Sequence, residues 1–226
     1  MLALITWGAV KIKNIACMVN DCNIEVESVL SINYQKKIKE FIQNNQNLIS
    51  KKNQFASQIQ ELFPAVLDVS IFSKRPGSWE IAVKSFDPMI KVGDQFILSK
   101  NGQLFERDAF AEDVIQKLNP VYLAFGESVQ NLELDKFFGF VKELAPSVFE
   151  DYEIVWVDQH NIFLSDKNNK KINLLCGFDQ KLDENFFKRK FDVVMQNEEE
   201  IKKFRAAWVI DTRFKNQIVF FKKGVP

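Results

Sequence analysis

The sequence predicts an α+β fold: two helices on a short sheet, followed by a larger antiparallel-sheet domain with interspersed helices. Three observations carry this. Before Pro64 apolar residues recur with the helical period. After Pro64 the period changes to two. From Asp108 onward, strand-like runs and helical stripes follow one another along the chain. The expected division is a small domain over residues 13–88 and a larger one over residues 89–226, with residues 1–12 ahead of both.

Each element has its own reason. Tyr34, Ile38, Phe41 and Ile42 stand at i, i+4, i+7 and i+8, and Phe55, Ile59, Leu62 and Phe63 repeat that spacing. Each set draws one apolar stripe along a helix, with Lys36, Lys37, Lys39 and Glu40 mostly on the polar side of the first. The stretch from Asn44 to Asn53, rich in Asn, Lys and Ser, separates the two. Beyond Pro64, Val69 and Ile71, then Trp79, Ile81 and Val83, alternate with Ser70, Glu80, Ala82 and Lys84. This reads as two strands around the turn Lys74-Arg75-Pro76-Gly77. Gln95 to Ser99 and Gln103 to Phe105 flank Lys100-Asn101-Gly102, a hairpin signal because Asn and Gly both tolerate positive φ.

Further on, Leu134, Phe137, Phe138, Val141 and Leu144 form a helical stripe closed by Pro146. Tyr152 to Val157, Asn161 to Leu164 and Lys171 to Cys176 read as consecutive antiparallel strands. Asp183 can cap a helix carrying Phe187, Phe191, Val194 and Met195. Glu198 with Lys202 and Glu199 with Lys203 make i,i+4 pairs on a short exposed helix. Ala206 to Thr212 and Gln217 to Phe221 are the final strands. The last is expected at a sheet edge, where unpaired N–H and C=O groups accept another strand. Its consecutive apolar residues fit a central or shielded strand equally well.

Composition narrows the function classes. Thirty Lys and Arg against thirty Asp and Glu give no electrostatic footprint for nucleic acid or an anionic membrane. Three cysteines are too few for a disulfide scaffold. Cys17 and Cys22 can pair only outside the cytoplasm; otherwise they are small apolar residues, as is Cys176. His160 is the only histidine and falls in a turn, where it is an ordinary solvated residue. Gly126-Glu127-Ser128 lacks the second glycine of a nucleophile elbow. Glu150, Asp151 and Glu153 lack calcium-loop spacing, and Glu198-Glu199-Glu200 reads as a solvated face. No catalytic, metal or cofactor residues are assigned. Trp79, Trp156 and Trp208, each within a strand run, are expected in the core.

One segment resembles a known family. It reads Phe63-Pro64-Ala65-Val66, Val69-Ser70-Ile71, Arg75-Pro76, Trp79-Glu80-Ile81-Ala82-Val83 and Asp87-Pro88. It is similar to the second half of the POTRA domain of FtsQ/DivIB-type bacterial cell-division proteins. There a helix ends in an apolar residue and Pro, and a strand, a Pro-containing turn, a second strand and another Pro follow. Gln95 to Ser99 and Asn101-Gly102-Gln103-Leu104-Phe105 resemble the family's next strand and its hairpin, with Ser99 where Asp is usual. Val209-Ile210-Asp211-Thr212-Arg213-Phe214, followed by Ile218-Val219, resembles the family's last two strands. Ser85 stands where the family often has Glu, and Lys215-Asn216-Gln217 where glycine is frequent. The resemblance is weak before residue 50. Either Ile12 to Val19 or Asn23 to Leu30 could supply the first POTRA strand.

The resemblance implies a non-enzymatic division scaffold in the bacterial inner membrane, with its bulk outside the cytoplasm and no cofactor. Its partners are FtsB/DivIC-type and FtsL-type division proteins, and the complex regulates septal wall synthesis. The partner adds a strand at the last strand, through Asp211, Arg213, Phe214, Asn216, Gln217, Ile218, Val219 and Phe220. Phe63, Pro64, Val69, Ile71, Pro76, Trp79, Ile81, Val83, Pro88 and Gly102 play structural roles in the POTRA motif. Leu2 to Val10 is apolar, but nine helical residues span roughly 13 Å against a bilayer core of about 30 Å. It could be a first strand or the outer half of a membrane anchor. The resemblance favours the anchor, so the gene product is expected to have a longer N-terminus with a complete membrane helix. The alternative is another POTRA-bearing protein of outer-membrane assembly or secretion; no barrel-like run of alternating strands follows here.

Overall fold

The structure, a computed structural model, describes residues 21–124, 133–168, 172–196, 199, 208–213 and 219–222. Its elements run β1 (Asp21–Val26), α1 (Ile32–Asn44), α2 (Lys52–Leu62), β2 (Val66–Arg75), β3 (Ser78–Ser85), β4 (Pro88–Val92), β5 (Phe96–Ser99) and β6 (Leu104–Glu106). Then come α3 (Glu112–Ile115), β7 (Asn119–Leu123), α4 (Leu134–Lys142), α5 (Pro146–Asp151), β8 (Tyr152–Trp156), β9 (Asn161–Asp166), β10 (Ile172–Gly177), α6 (Glu184–Gln196), β11 (Trp208–Asp211) and β12 (Val219–Lys222). The chain is α+β, as the change of period predicts. It divides into two compact units.

The first unit takes the described residues up to Pro88 together with Gln103–Leu118. Its sheet has the order β1-β3-β2, with β1 parallel and β2 antiparallel to the central β3. Of the two candidate first strands, Asn23 to Leu30 overlaps β1, while Ile12 to Val19 lies outside the described residues. Helix α1 begins where Ser31 Oγ accepts from Tyr34 N–H, which satisfies one of the free donors of the first turn. Ile38 and Ile42 of α1 and Phe55 and Ile59 of α2 are fully buried, together with Ile81 of β3. The α2 stripe runs on to Phe63, whose ring meets Tyr34 and Phe41. Leu62 is instead 58% exposed, since the i, i+4, i+8 line of 55, 59 and 63 passes it by. Ile49, within the linking stretch read as polar, is fully buried.

The second unit holds Met89–Gly102 and the described residues from Asn119 onward. Among the described residues its strands follow the order β12-β11-β10-β9-β8-β7-β4-β5. The run β8, β9, β10 is antiparallel as expected, and so is β11–β12. The expected antiparallel sheet is mixed, however: β4–β7, β7–β8 and β10–β11 are parallel. A parallel neighbour needs a long crossover, and α4 with α5 lies in the β7–β8 connection and α6 in the β10–β11 connection. Ile154, Trp156, Ile162, Leu164, Leu174 and Ile210 are all buried and share one face by register. Phe137 of α4 stacks on Trp156 there with ring centroids 3.7 Å apart.

Of the three tryptophans expected in the core, only Trp156 is fully buried; Trp79 and Trp208 are half-buried at the sheet surface. Asp183 Oδ1 accepts from Phe186 N–H at 2.9 Å and caps α6, and Phe187 stacks on Tyr152. The side chains of Phe191, Val194 and Met195 lie outside the described residues, as do Glu198, Lys202 and Lys203 of the two expected i,i+4 pairs. No helix among the described residues is long and apolar enough to cross a membrane.

Candidate functional site

The edge strand β12 and the strand that carries it, β11, form the candidate site. Register pairs Trp208 with Lys222, Val209 with Phe221, Ile210 with Phe220 and Asp211 with Val219. β12 comes last in the sheet order, so among the described residues no strand covers its outer side. Val219 is 41% exposed there. In a strand successive residues turn their N–H and C=O to opposite sides, so two of the four residues of β12 present both groups outward.

The chain leaves β11 through Asp211, Thr212 and Arg213, and each is fixed. Asp211 is 4% exposed, yet its carboxylate is fully engaged. It accepts from Arg213 Nε at 2.9 Å, Arg213 Nη2 at 2.6 Å and Arg213 N–H at 3.1 Å. Hydrogen bonds from the guanidinium hold the Asp211 carboxyl below the usual carboxylate range, against the opposing effect of burial. The same bonds raise Arg213. Arg213 Nη1 also donates to Asn161 Oδ1 at 3.2 Å. Thr212, 1% exposed, donates its N–H and its hydroxyl to the Leu175 carbonyl at 3.0 and 2.9 Å. Gln180 Nε2 donates to the Thr212 carbonyl, and Gln180 Oε1 accepts from Gly177 N–H at 2.9 Å. Asn173 Nδ2 reaches the Trp208 carbonyl at 3.3 Å. Buried main-chain groups are thereby paired at the point where the parallel β10–β11 ladder ends.

The predicted partner-binding residues divide accordingly. Asp211 and Arg213 meet in this clamp, Val219 sits on β12, and the backbone of Phe220 pairs with Ile210. Phe214, Asn216, Gln217 and Ile218 lie outside the described residues, and so does the side chain of Phe220. The POTRA-motif residues have packing and turn roles. Ile81, Val83, Val69 and Ile71 are buried, Phe63 follows the end of α2 after which Pro64 turns the chain, and Pro88 opens β4. Pro76 precedes Gly77, which turns at φ +80° between β2 and β3. Gly102 has φ +82°, and a Cβ there would lie 2.9 Å from the Phe138 ring. Lys52 Nζ lies 5.3 Å from the centre of the Trp79 ring. His160 is exposed in the β8–β9 turn, with its N–H on Asp158 Oδ1 at 2.8 Å and its carbonyl accepting from Phe178 N–H.

Sequence reasoning missed Asn161, Asn173, Gln180 and Thr212. The signal for one was present: Asn173 interrupts the apolar run Ile172 to Cys176, where a polar side chain has to find a partner. Cys22 is a half-buried free thiol on β1, and Cys17 lies outside the described residues. Among the described residues no group of three or more His, Cys, Asp or Glu is placed to hold a metal ion. Neither a protein-family model nor a curated protein matches the chain.

Proposed function

We propose that this chain is a division scaffold of the FtsQ/DivIB type that captures an FtsB/DivIC-type partner by strand addition on β12. On this reading it is a membrane-anchored, extracytoplasmic protein that joins FtsL-type proteins as well and helps regulate septal wall synthesis without catalysis. The observation that carries it is the edge position of β12, the element that follows β11, where the C-terminal part of the sequence resemblance begins. The β-α-α-β-β order of the first unit supports it too, since the family's POTRA segment has two helices on a small sheet. Strand addition draws affinity from main-chain bonds, each contributing about 0.5–1.5 kcal/mol net, and takes specificity from alternate side chains.

The test uses two prolines. Val219 and Phe220 are neighbours on β12, so one N–H faces β11 and the other faces outward. Proline removes the donor and fixes φ near −65°. Val219→Pro and Phe220→Pro are each checked for a cooperative melt, then for capture of the FtsB-type partner. The inward proline weakens the β11–β12 ladder, whereas the outward one keeps the fold and lowers capture at least tenfold. If both variants stay folded and both capture the partner at wild-type strength, strand addition at β12 is wrong.

A further inference from the structure

A cleft of about 380 Å³ lies in the second unit between α4 and the loop that leaves β10. Its floor is apolar: Phe140 and Phe178, with ring centroids 5.5 Å apart, and Leu182, which is 6% exposed. One wall is a single stripe of α4 and its C-terminal end, Asp135, Gly139 and Glu143, at i, i+4 and i+8. Asp179 lines the cleft from the loop. Among the described residues these three carboxylates have no ion-pair partner, whereas Lys136, also on the rim, is held by Glu133 at 2.5 Å. Lys181 offsets one of them, and the rim keeps an excess of acid.

Gly139 is the telling residue. A glycine in mid-helix costs roughly 0.5–1 kcal/mol relative to alanine. Close packing does not require it, because a Cβ at 139 would meet nothing within 4 Å. Its effect is to keep the cleft open between two carboxylates. A long basic side chain complements this arrangement: methylenes lie on aromatic and aliphatic surface while the charged head stays at the wet, acidic rim. The volume also falls in the range of roughly 300–1,000 Å³ typical of ligand sites.

We infer that this cleft receives a lysine or arginine side chain from a basic-apolar peptide segment of a partner protein, laid across Gly139. The site is separate from β12 and stands without the division-scaffold reading. The probe is a fluorescein-labelled octapeptide of alternating Lys and Leu, titrated into the full chain by fluorescence anisotropy. A Glu-for-Lys peptide and spermidine serve as the other arms. The basic peptide binds and weakens as salt rises, and the acidic peptide does not bind. Gly139→Leu, which fills the cleft while favouring helix, abolishes binding. Asp135→Asn with Glu143→Gln weakens it about tenfold through two lost surface pairs. Both variants are checked by circular dichroism, and the charge pair alone decides if Gly139→Leu fails to fold. Equal binding of the acidic peptide, full displacement by spermidine at equal affinity, or wild-type affinity in the folded charge variant would overturn the inference.

Discussion

Arg213→Ala should destabilise the second unit more than Asp211→Ala does, although both break the same pair. The asymmetry follows from burial. The Asp211 side chain is 6% exposed and the Arg213 side chain 39% exposed. Stripping the guanidinium leaves a nearly buried carboxylate with fewer donors. Breaking a fully buried pair this way costs about 3–5 kcal/mol. Water reaches the arginine side of this pair, so the cost is discounted to about 1.5–2.5 kcal/mol. Removing Asp211 instead frees a cation that water resolvates, and the Arg213 N–H loses one acceptor, for about 1 kcal/mol. The sign with pH is fixed by the lowered Asp211 pKa. Its contribution is present above the unfolded carboxyl value of about 3.9 and is lost as pH falls through the folded value. In Arg213→Ala this contribution is gone, so wild type and variant converge in acid. Urea unfolding followed by tryptophan fluorescence at pH 7 and near pH 3 measures both effects. Asp211→Ala matching or exceeding Arg213→Ala at pH 7, or a gap unchanged by acid, refutes the reasoning.

Other outcomes follow from single side chains. Phe137→Ala, at a fully buried ring stacked on Trp156, should cost about 3–5 kcal/mol in the same urea assay. A loss below 1 kcal/mol would mean that α4 does not anchor the sheet. Gly139→Ala should raise stability by about 0.5–1 kcal/mol, because the new methyl meets open space; a drop in melting temperature would show the space to be filled. Cys176, fully buried with its thiol pushed up to about 12 mainly by desolvation, should resist alkylation at pH 8 until the chain unfolds. Its contribution to stability is complete below the unfolded thiol value of about 8.5 and is lost as pH climbs. Labelling of native Cys176 within minutes, read by mass spectrometry, would contradict this.

Local periodicity determined most of the element list. The spacing of Ile38 with Ile42 and of Phe55 with Ile59 specifies a helix face, because 3.6 residues per turn brings i and i+4 together whatever the rest of the chain does. Alternation around Ile71 and Ile81, and the positive-φ glycines at 77 and 102, likewise fix strands and turns from short windows. Asp211 and Arg213 entered through the family resemblance of the short contiguous segment Val209 to Phe214. Pairing between distant segments was not. That β10 lies parallel to β11, and β7 parallel to β8, depends on crossovers through α6 and through α4 with α5, which no short window contains. Thirty-two residues separate Gln180 from the Thr212 carbonyl it caps. Burial depends on the same long-range pairing: Trp79, Trp156 and Trp208 look alike in sequence, yet Trp156 is fully buried with the Phe137 ring stacked over it from another element, while Trp79 and Trp208 are half-buried. Gly139 lines a cleft only because the loop carrying Phe178 and Leu182 folds opposite α4. The sequence alone determined which residues face the same way, because that is set by backbone geometry over a few residues. Only the tertiary structure decided what they face, because the free energy of burial depends on segments the chain brings together from far apart.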